Sequence, residues 1–304
     1  MHEWALVIFT ILAPMSVGAF VVLGVVHLWA MDTYGVDKAD RLSVRALLAI
    51  GPTLALGFVA SLFHLGHPLA AYRAVFNVGS SWLSREIALG IAFAVLGGLF
   101  ALLQWRKFGS FEARNVVAVA AAVVGLGLIY AMARVYMLPS QPAWNTWATP
   151  VSFYLTAFLL GTLALGAAFM ASYVDLRQQN RIVAASDMDM VRAALRGLAV
   201  AAIVLMGLQF IAAPLSVASL ASGSDAAVAS AALLITQYRW LFALQLGLLF
   251  LGAGLFSLGL FRSAMRGAEA WVLRDLAYLA FILALVGELL GRYVFYAAHV
   301  KIGL

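Results

Sequence analysis

The sequence predicts an all-α integral membrane protein, a bundle of eight transmembrane helices with both termini on the extracytoplasmic side. Three observations carry that expectation. Of the 304 residues, 65% are hydrophobic and only 11% charged, with a mean hydropathy of +1.00, far from the profile of a soluble domain. The apolar residues come in long continuous runs rich in Ala, Leu and Gly, without the alternation of a membrane barrel. Lysine and arginine are distributed unevenly between the connections, and this bias sets orientation.

Crossing a hydrocarbon core about 30 Å thick takes roughly 20 mostly apolar residues. Eight segments qualify: Ala5–Ala30, Leu42–Phe63, Trp82–Trp105, Asn115–Tyr136, Val151–Val174, Val191–Ala213, Tyr238–Phe261 and Val272–His299. The first follows Met1-His2-Glu3-Trp4, which lacks the basic region of a cleaved signal peptide, and is read as a helix of the mature protein. The last contains Gly287-Glu288-Leu289-Leu290-Gly291, two glycines four apart that would admit a neighbouring backbone, although glycine is common throughout the chain. With no convincing internal repeat, low-complexity tract or linker, residues 1–304 read as a single domain.

Thirteen of the nineteen Lys and Arg residues lie in or beside the connections 1–2, 3–4, 5–6 and 7–8, which are therefore cytoplasmic. The other six are Arg73, Arg85, Arg134, Arg239, Arg292 and Lys301, mostly at or inside helix ends on the opposite side. The chain is accordingly placed as a multi-pass protein of the inner (cytoplasmic) membrane. Its net charge of +6, without basic tracts, points to anionic lipid headgroups and not to nucleic acid. The absence of cysteine excludes disulfides, thiolate-bound iron–sulfur clusters and covalent c-type haem in this chain.

Charges near hydrocarbon cost kilocalories, so ionisable groups gathered at one side of a membrane suggest function. The outer side collects His64, His67 and Arg73 in a long Phe63–Ser81 connection, Arg85-Glu86, Arg134 with Tyr136, and Glu288, Arg292, Tyr296 and His299. A second long outer connection, Leu138–Pro150, carries Trp144 and Trp147. Spacings of four, four and three put the last group on one helical face, where it can bind a polar headgroup and relay protons.

Plainer readings stand beside these. Glu86 follows Ser84, so it also fits an acid at a capped helix start. Arg85 fits a side chain snorkelling to headgroups, and Glu288 with Arg292 fits a neutralising pair that fixes helix packing. His27, towards the cytoplasmic end of the first span without a partner, reads as structural.

An apolar protein with a polar cleft near one surface suits a lipid-soluble quinol, whose hydroxyls need groups able to take protons as electrons leave. Haem competes, but at most His64, His67 and His299 could serve an outer haem, and two stacked b-haems are not supported. No metal ligand set is assigned.

The stretches Met1-His2-Glu3-Trp4 through Phe9-Thr10, Ser61-Leu62-Phe63-His64-Leu65-Gly66-His67-Pro68, Leu83-Ser84-Arg85-Glu86-Ile87 and Gly287-Glu288-Leu289-Leu290-Gly291-Arg292-Tyr293-Val294-Phe295-Tyr296 together resemble the membrane-anchor (C) subunit of dimethyl sulfoxide reductase, over essentially the whole chain. The resemblance implies menaquinol as bound substrate and no haem or iron–sulfur cluster in this chain. It also implies two partners, an electron-transfer subunit with iron–sulfur clusters and a molybdopterin catalytic subunit.

Carried over, it makes His64 and Glu86 the foremost quinol-site residues, supported by Arg134, Glu288, Arg292 and His299. Family members can carry an arginine shortly after the His-Leu-Gly motif's proline; here Leu69-Ala70-Ala71 follow and Arg73 is the nearest. Two other classes remain. A proton-coupled transporter or channel also gathers ionisable groups in helices, but should show broken helices with pseudo-symmetry or a polar path across the whole thickness, whereas the cytoplasmic half reads as nearly uniformly apolar. A passive anchor would use the outer polar groups only to hold a partner.

Overall fold

The computed structural model describes residues 3–62, 76–178, 185–255, 257–259, 262 and 270–302. These form nine α-helices among the described residues: α1 (Glu3–Tyr34), α2 (Val36–Leu62), α3 (Trp82–Arg106), α4 (Phe111–Tyr136), α5 (Ala148–Gln178), α6 (Ala185–Ala221), α7 (Asp225–Thr236), α8 (Arg239–Leu249) and α9 (Ala270–Ala297). No strand occurs among them. The described residues of the eight expected segments lie on helices except Tyr238, Ala298 and His299, and seven helical stretches, from α1 to α6 and Arg239–Gly259, are long and apolar enough to cross a membrane. The protein is thus a multi-pass helical membrane protein. Helix α9 is 28 residues long and carries Glu288 and Arg292 within its length. The short apolar helix α7 was not expected, and α6 runs on to Ala221, beyond the anticipated Ala213.

Prolines inside α1 (Pro14), α2 (Pro52) and α6 (Pro214) do not end their helices, as is common where neighbouring helices shield the freed backbone groups. Helix α8 passes into a π-helical turn at Phe250–Leu255. There a Cβ on Gly252 would come within 2.8 Å of the Ala284 backbone nitrogen of α9. Close approach to α9 sits at the same place as the widened turn.

The core lies along α1 and α5. In each, 72% of the most apolar window is buried, against 22% in α3 and α6, so α1 and α5 are central while α3 and α6 face outwards. Gly18 and Gly161 make their crossing possible: a Cβ on Gly18 would fall on the Ala157 carbonyl, and one on Gly161 on the Gly18–Ala19 backbone. In a bilayer, where apolar burial gives no drive for helices to associate, such close backbone packing is a main source of cohesion. Phe153, Leu160, Phe169 and Met170 fill the centre. Exposed Leu99, Val119, Val123, Ile211 and Leu244 give the periphery the apolar surface that lipid requires.

The Gly287/Gly291 pair does admit a neighbour. A Cβ on Gly287 would lie 3.2 Å from the Gln245 carbonyl oxygen of α8, and Gly291 sits directly against the Gln245 side chain.

The end of the bundle opposite the Tyr136 end departs from expectation. His27 has partners: its Nδ1 lies 2.6 Å from the Ser43 hydroxyl and its Nε2 3.6 Å from Asp40. Asp40 is buried and accepts from Gln104 at 2.5 Å, from Arg114 at 3.4 Å and from Lys107. Arg114 also donates to Gln104 at 2.8 Å. This network ties α1 to α4 together. The half expected to be uniformly apolar therefore has a polar knot, kept tolerable because its buried charges are paired and hydrogen-bonded.

Candidate functional site

Helix α3 begins at Ser81, whose hydroxyl accepts the Ser84 N–H at 3.3 Å. The expected cap at Ser84 is therefore corrected: Ser84 is a buried residue of the first turn, and Glu86 lies one turn further in. Glu86 is 8% exposed, and no described residue donates a hydrogen bond to it. The capping account of this acid fails, since dipole and cap effects fall off within the first turn. Its carboxyl lies within electrostatic reach of the Tyr136 and Tyr296 phenols.

Those phenols meet between α4 and α9. Tyr296 donates to Tyr136 at 2.8 Å, and the Thr10 hydroxyl of α1 lies 3.3 Å from the Tyr296 oxygen. Around them Trp144, Phe153 and Phe295 pack with ring centroids 5.7–5.8 Å from Tyr136, edge-on or tilted, geometries that suit aromatic quadrupoles. The Leu138–Pro150 connection closes this end of α9. Trp144 donates its indole N–H to the Phe295 carbonyl at 2.8 Å and stacks on His299 at 4.2 Å. The other ring contact of His299 is local, its Nδ1 2.6 Å from the Tyr296 carbonyl oxygen.

The two arginines nearby act differently. Arg85 donates to the Val78 and Gly79 carbonyls at 2.8 and 2.7 Å and lies 4.3 Å from the Trp82 ring centre. It fastens the turn before α3, where snorkelling to headgroups was expected. Arg134 sits 5.0 Å from the same ring, reaches the Met137 sulfur at 3.9 Å, and has a buried Nε without a partner among the described residues.

The remaining pair of the α9 stripe faces elsewhere. Glu288 accepts from the Thr156 hydroxyl of α5 at 2.8 Å and from the Gln209 amide of α6. Arg292 lies with its guanidinium carbon 3.8 Å from the Phe153 ring centre and 5.4 Å from that of Phe295. Both line a cavity of about 170 Å³ between α5, α6, α8 and α9 that also meets Trp144, Thr156, Gln209 and Gln245. Tyr296 and His299 are not in its wall. The predicted stripe is thus spread over two places: Tyr296 meets Tyr136, Glu288 lines the cavity, and Arg292 lines it too while staying within electrostatic reach of both phenols.

His64, His67 and Arg73 lie outside the described residues. Among the described residues no group of three or more His, Asp or Glu side chains could hold a metal ion. Chemically, the arrangement offers a carboxyl and two phenols at one place and a carboxylate with a guanidinium at another, both walled by aromatic rings.

A family model described as DMSO reductase anchor subunit (DmsC) matches residues 1–298. The chain belongs to this anchor-subunit family. It is 31% identical over 304 residues to the C subunit of the anaerobic dimethyl sulfoxide reductase of Escherichia coli (strain K12), covering 100% of this chain and 97% of that one. The YnfH subunit of an anaerobic dimethyl sulfoxide reductase from the same organism is 30% identical over 303 residues, with the same coverage. Among solved structures, bd oxidase from Geobacillus thermodenitrificans superposes with a TM-score of 0.70 over 97% of this chain and 84% of its own, at 13% identity, a likeness of fold alone.

Several side chains of this anchor-type protein were missed by sequence reasoning: Thr10, Thr156 and Gln209, and the aromatic platforms Trp82 and Phe153. A single polar residue inside a long apolar run was the available signal. Such a residue faces the bundle interior and seeks a partner there.

Proposed function

We propose that this chain is the quinol-oxidising membrane-anchor subunit of an anaerobic respiratory molybdopterin oxidoreductase of the dimethyl sulfoxide reductase type. Menaquinol is oxidised near the extracytoplasmic face. Its two electrons pass to an iron–sulfur cluster of a partner subunit, while molybdopterin and the terminal acceptor belong to a further partner. The family match and the relatives' names support this assembly.

In this reading α9, whose 28 residues reach about 42 Å at 1.5 Å per residue, is the eighth span. An even number of spans puts both termini on one side, and the charge bias makes that side extracytoplasmic. The membrane is then the inner one.

Quinol oxidation releases two electrons and two protons. The electrons leave to the partner's cluster, and the protons need acceptors on this chain. Glu86 and His64 take them to the outer aqueous side, with Arg73, Arg134 and His299 as supporting residues. Tyr136 and Tyr296 orient the ring through their hydroxyls, because a phenol both donates and accepts. The observation that carries the reading is Glu86, buried one turn into α3 with no described donor on its oxygens and within electrostatic reach of the phenol pair.

Replacing Glu86 by Gln keeps shape and removes the proton acceptor. Menaquinol oxidation by the assembled complex then falls about 100-fold or more, the range typical of a lost general base, while the subunits still co-purify. Lost assembly with unchanged turnover would instead identify a passive anchor.

A further inference from the structure

The cavity between α5, α6, α8 and α9 presents polar groups that the bundle leaves unsatisfied. Arg292 is 4% exposed, and its buried Nε–H has no hydrogen-bond partner among the described residues. Gln209 is 8% exposed; its amide nitrogen is used on Glu288, while its buried oxygen has no partner among the described residues. Two residues, each over nine-tenths buried and one carrying an unpartnered donor and the other an unpartnered acceptor, thus line one cavity. Leaving such groups unmatched forfeits the hydration each gave up on burial, and the loss is larger where a charge is concerned.

The ligand's chemistry follows from the wall. Glu288 offsets the Arg292 charge, so an anion entering the cavity would meet a carboxylate as well as a guanidinium, and a neutral molecule is favoured. Trp144 and Phe295 supply flat apolar surface. A cavity of about 150 Å³ is known to hold one benzene ring, and this one measures about 170 Å³. Gln209 requires a donor from the guest and Arg292 an acceptor. A ring with hydroxyl groups at its edges supplies both.

We propose that this cavity is a second headgroup site, separate from the Glu86 end, that takes a neutral oxygen-bearing aromatic ring of the quinol class. The ring's identity rests on the proposed quinol chemistry. The guest's oxygens bind between the Gln209 amide oxygen and the Arg292 guanidinium, and Glu288, already bonded to Thr156 and Gln209, holds the arginine's charge in balance.

The test uses membranes containing the assembled complex and a radiolabelled azido-naphthoquinone as photoprobe. In the unaltered complex, label appears on peptides containing Gln209 or Glu288 and is competed by excess menadiol. Filling the cavity with Ser216→Trp lowers that label at least tenfold and leaves label on the α3–α4 peptides unchanged. Gln209→Leu, which removes the amide without filling the space, lowers it about tenfold and serves if the tryptophan hinders assembly. Absence of competed label on those peptides, or label unchanged in both variants, overturns the second site. Undiminished quinol turnover in Glu86→Gln, with cavity labelling intact, would overturn oxidation at Glu86 and leave the second site standing.

Discussion

Glu288 and Arg292 form the most exacting test of how this bundle tolerates charge. Exchanging Glu288 for Met deprives Thr156 and Gln209 of their acceptor and removes a carboxyl within electrostatic reach of the buried Arg292. Breaking a buried pair by removing one partner costs about 3–5 kcal/mol. At roughly 2 °C per kcal/mol for a chain of this size, the midpoint of thermal unfolding drops by about 6–10 °C.

Changing Arg292 to Met in the same protein removes the stranded charge. Apolar replacement of both members of a buried pair is often neutral, and the freed Thr156 hydroxyl can turn to a backbone carbonyl of its own helix. The double variant should therefore return to within about 1 kcal/mol of the parent. The measurement is a thermal unfolding series on the detergent-purified complex, read as a double-mutant cycle. Two results would refute the reasoning: a single substitution costing only about 0.6 kcal/mol, the average for side-chain hydrogen bonds between membrane helices, or additive costs in the double variant.

The remaining predictions concern the crossing and the two polar ends. Gly18→Val should separate α1 from α5 and destabilise by at least about 1–3 kcal/mol as overpacking, whereas Gly24→Ala, where a Cβ meets nothing within 4 Å, should be neutral or stabilising by up to about 1 kcal/mol; thermal unfolding separates them. Tyr296→Phe removes the hydroxyl shared by Tyr136 and Thr10, and a several-fold loss of quinol turnover is expected, with the Tyr136→Phe effect not adding to it. Asp40→Asn strips the charge that Lys107 and Arg114 face, so heat stability should fall by about 1–3 kcal/mol while the quinol kcat, set at the far end of the bundle, stays as it was.

Much of the architecture was legible because a bilayer imposes long apolar runs, and the described residues of all eight such runs are helical but for a few at the ends. Helix α7 escaped notice because its 12 residues fall short of a span. The Asp40 knot was hidden for another reason. Its six side chains come from four helices and the residue that caps α3, and nothing in one sequence says that His27 and Arg114 converge. Glu86 shows the limit at single-residue scale: Ser81 and Ser84 are both plausible caps by type, and only the backbone reveals that Ser81 starts the helix. The α9 stripe was found by periodicity, yet a helix wedged between two groups of neighbours shares one face between two environments. Spacing alone could not show that Tyr296 stays out of the cavity wall that Glu288 and Arg292 line.

The described residues contain three buried carboxyls, and their surroundings sort them by role. Asp40 is gripped by an amide, an ammonium and a guanidinium, and Glu288 by a hydroxyl and an amide. Fixed donors hold each of these in one arrangement, which suits a structural tie and suits poorly a group that must trade protons with a guest. Glu86 alone among them has oxygens that no described donor occupies. A substrate hydroxyl can bond to such a group without displacing any described protein contact, so the energy of binding is available for orientation and proton transfer. That contrast, more than burial itself, is why we propose Glu86 for the chemistry and Asp40 and Glu288 for the holding of structure.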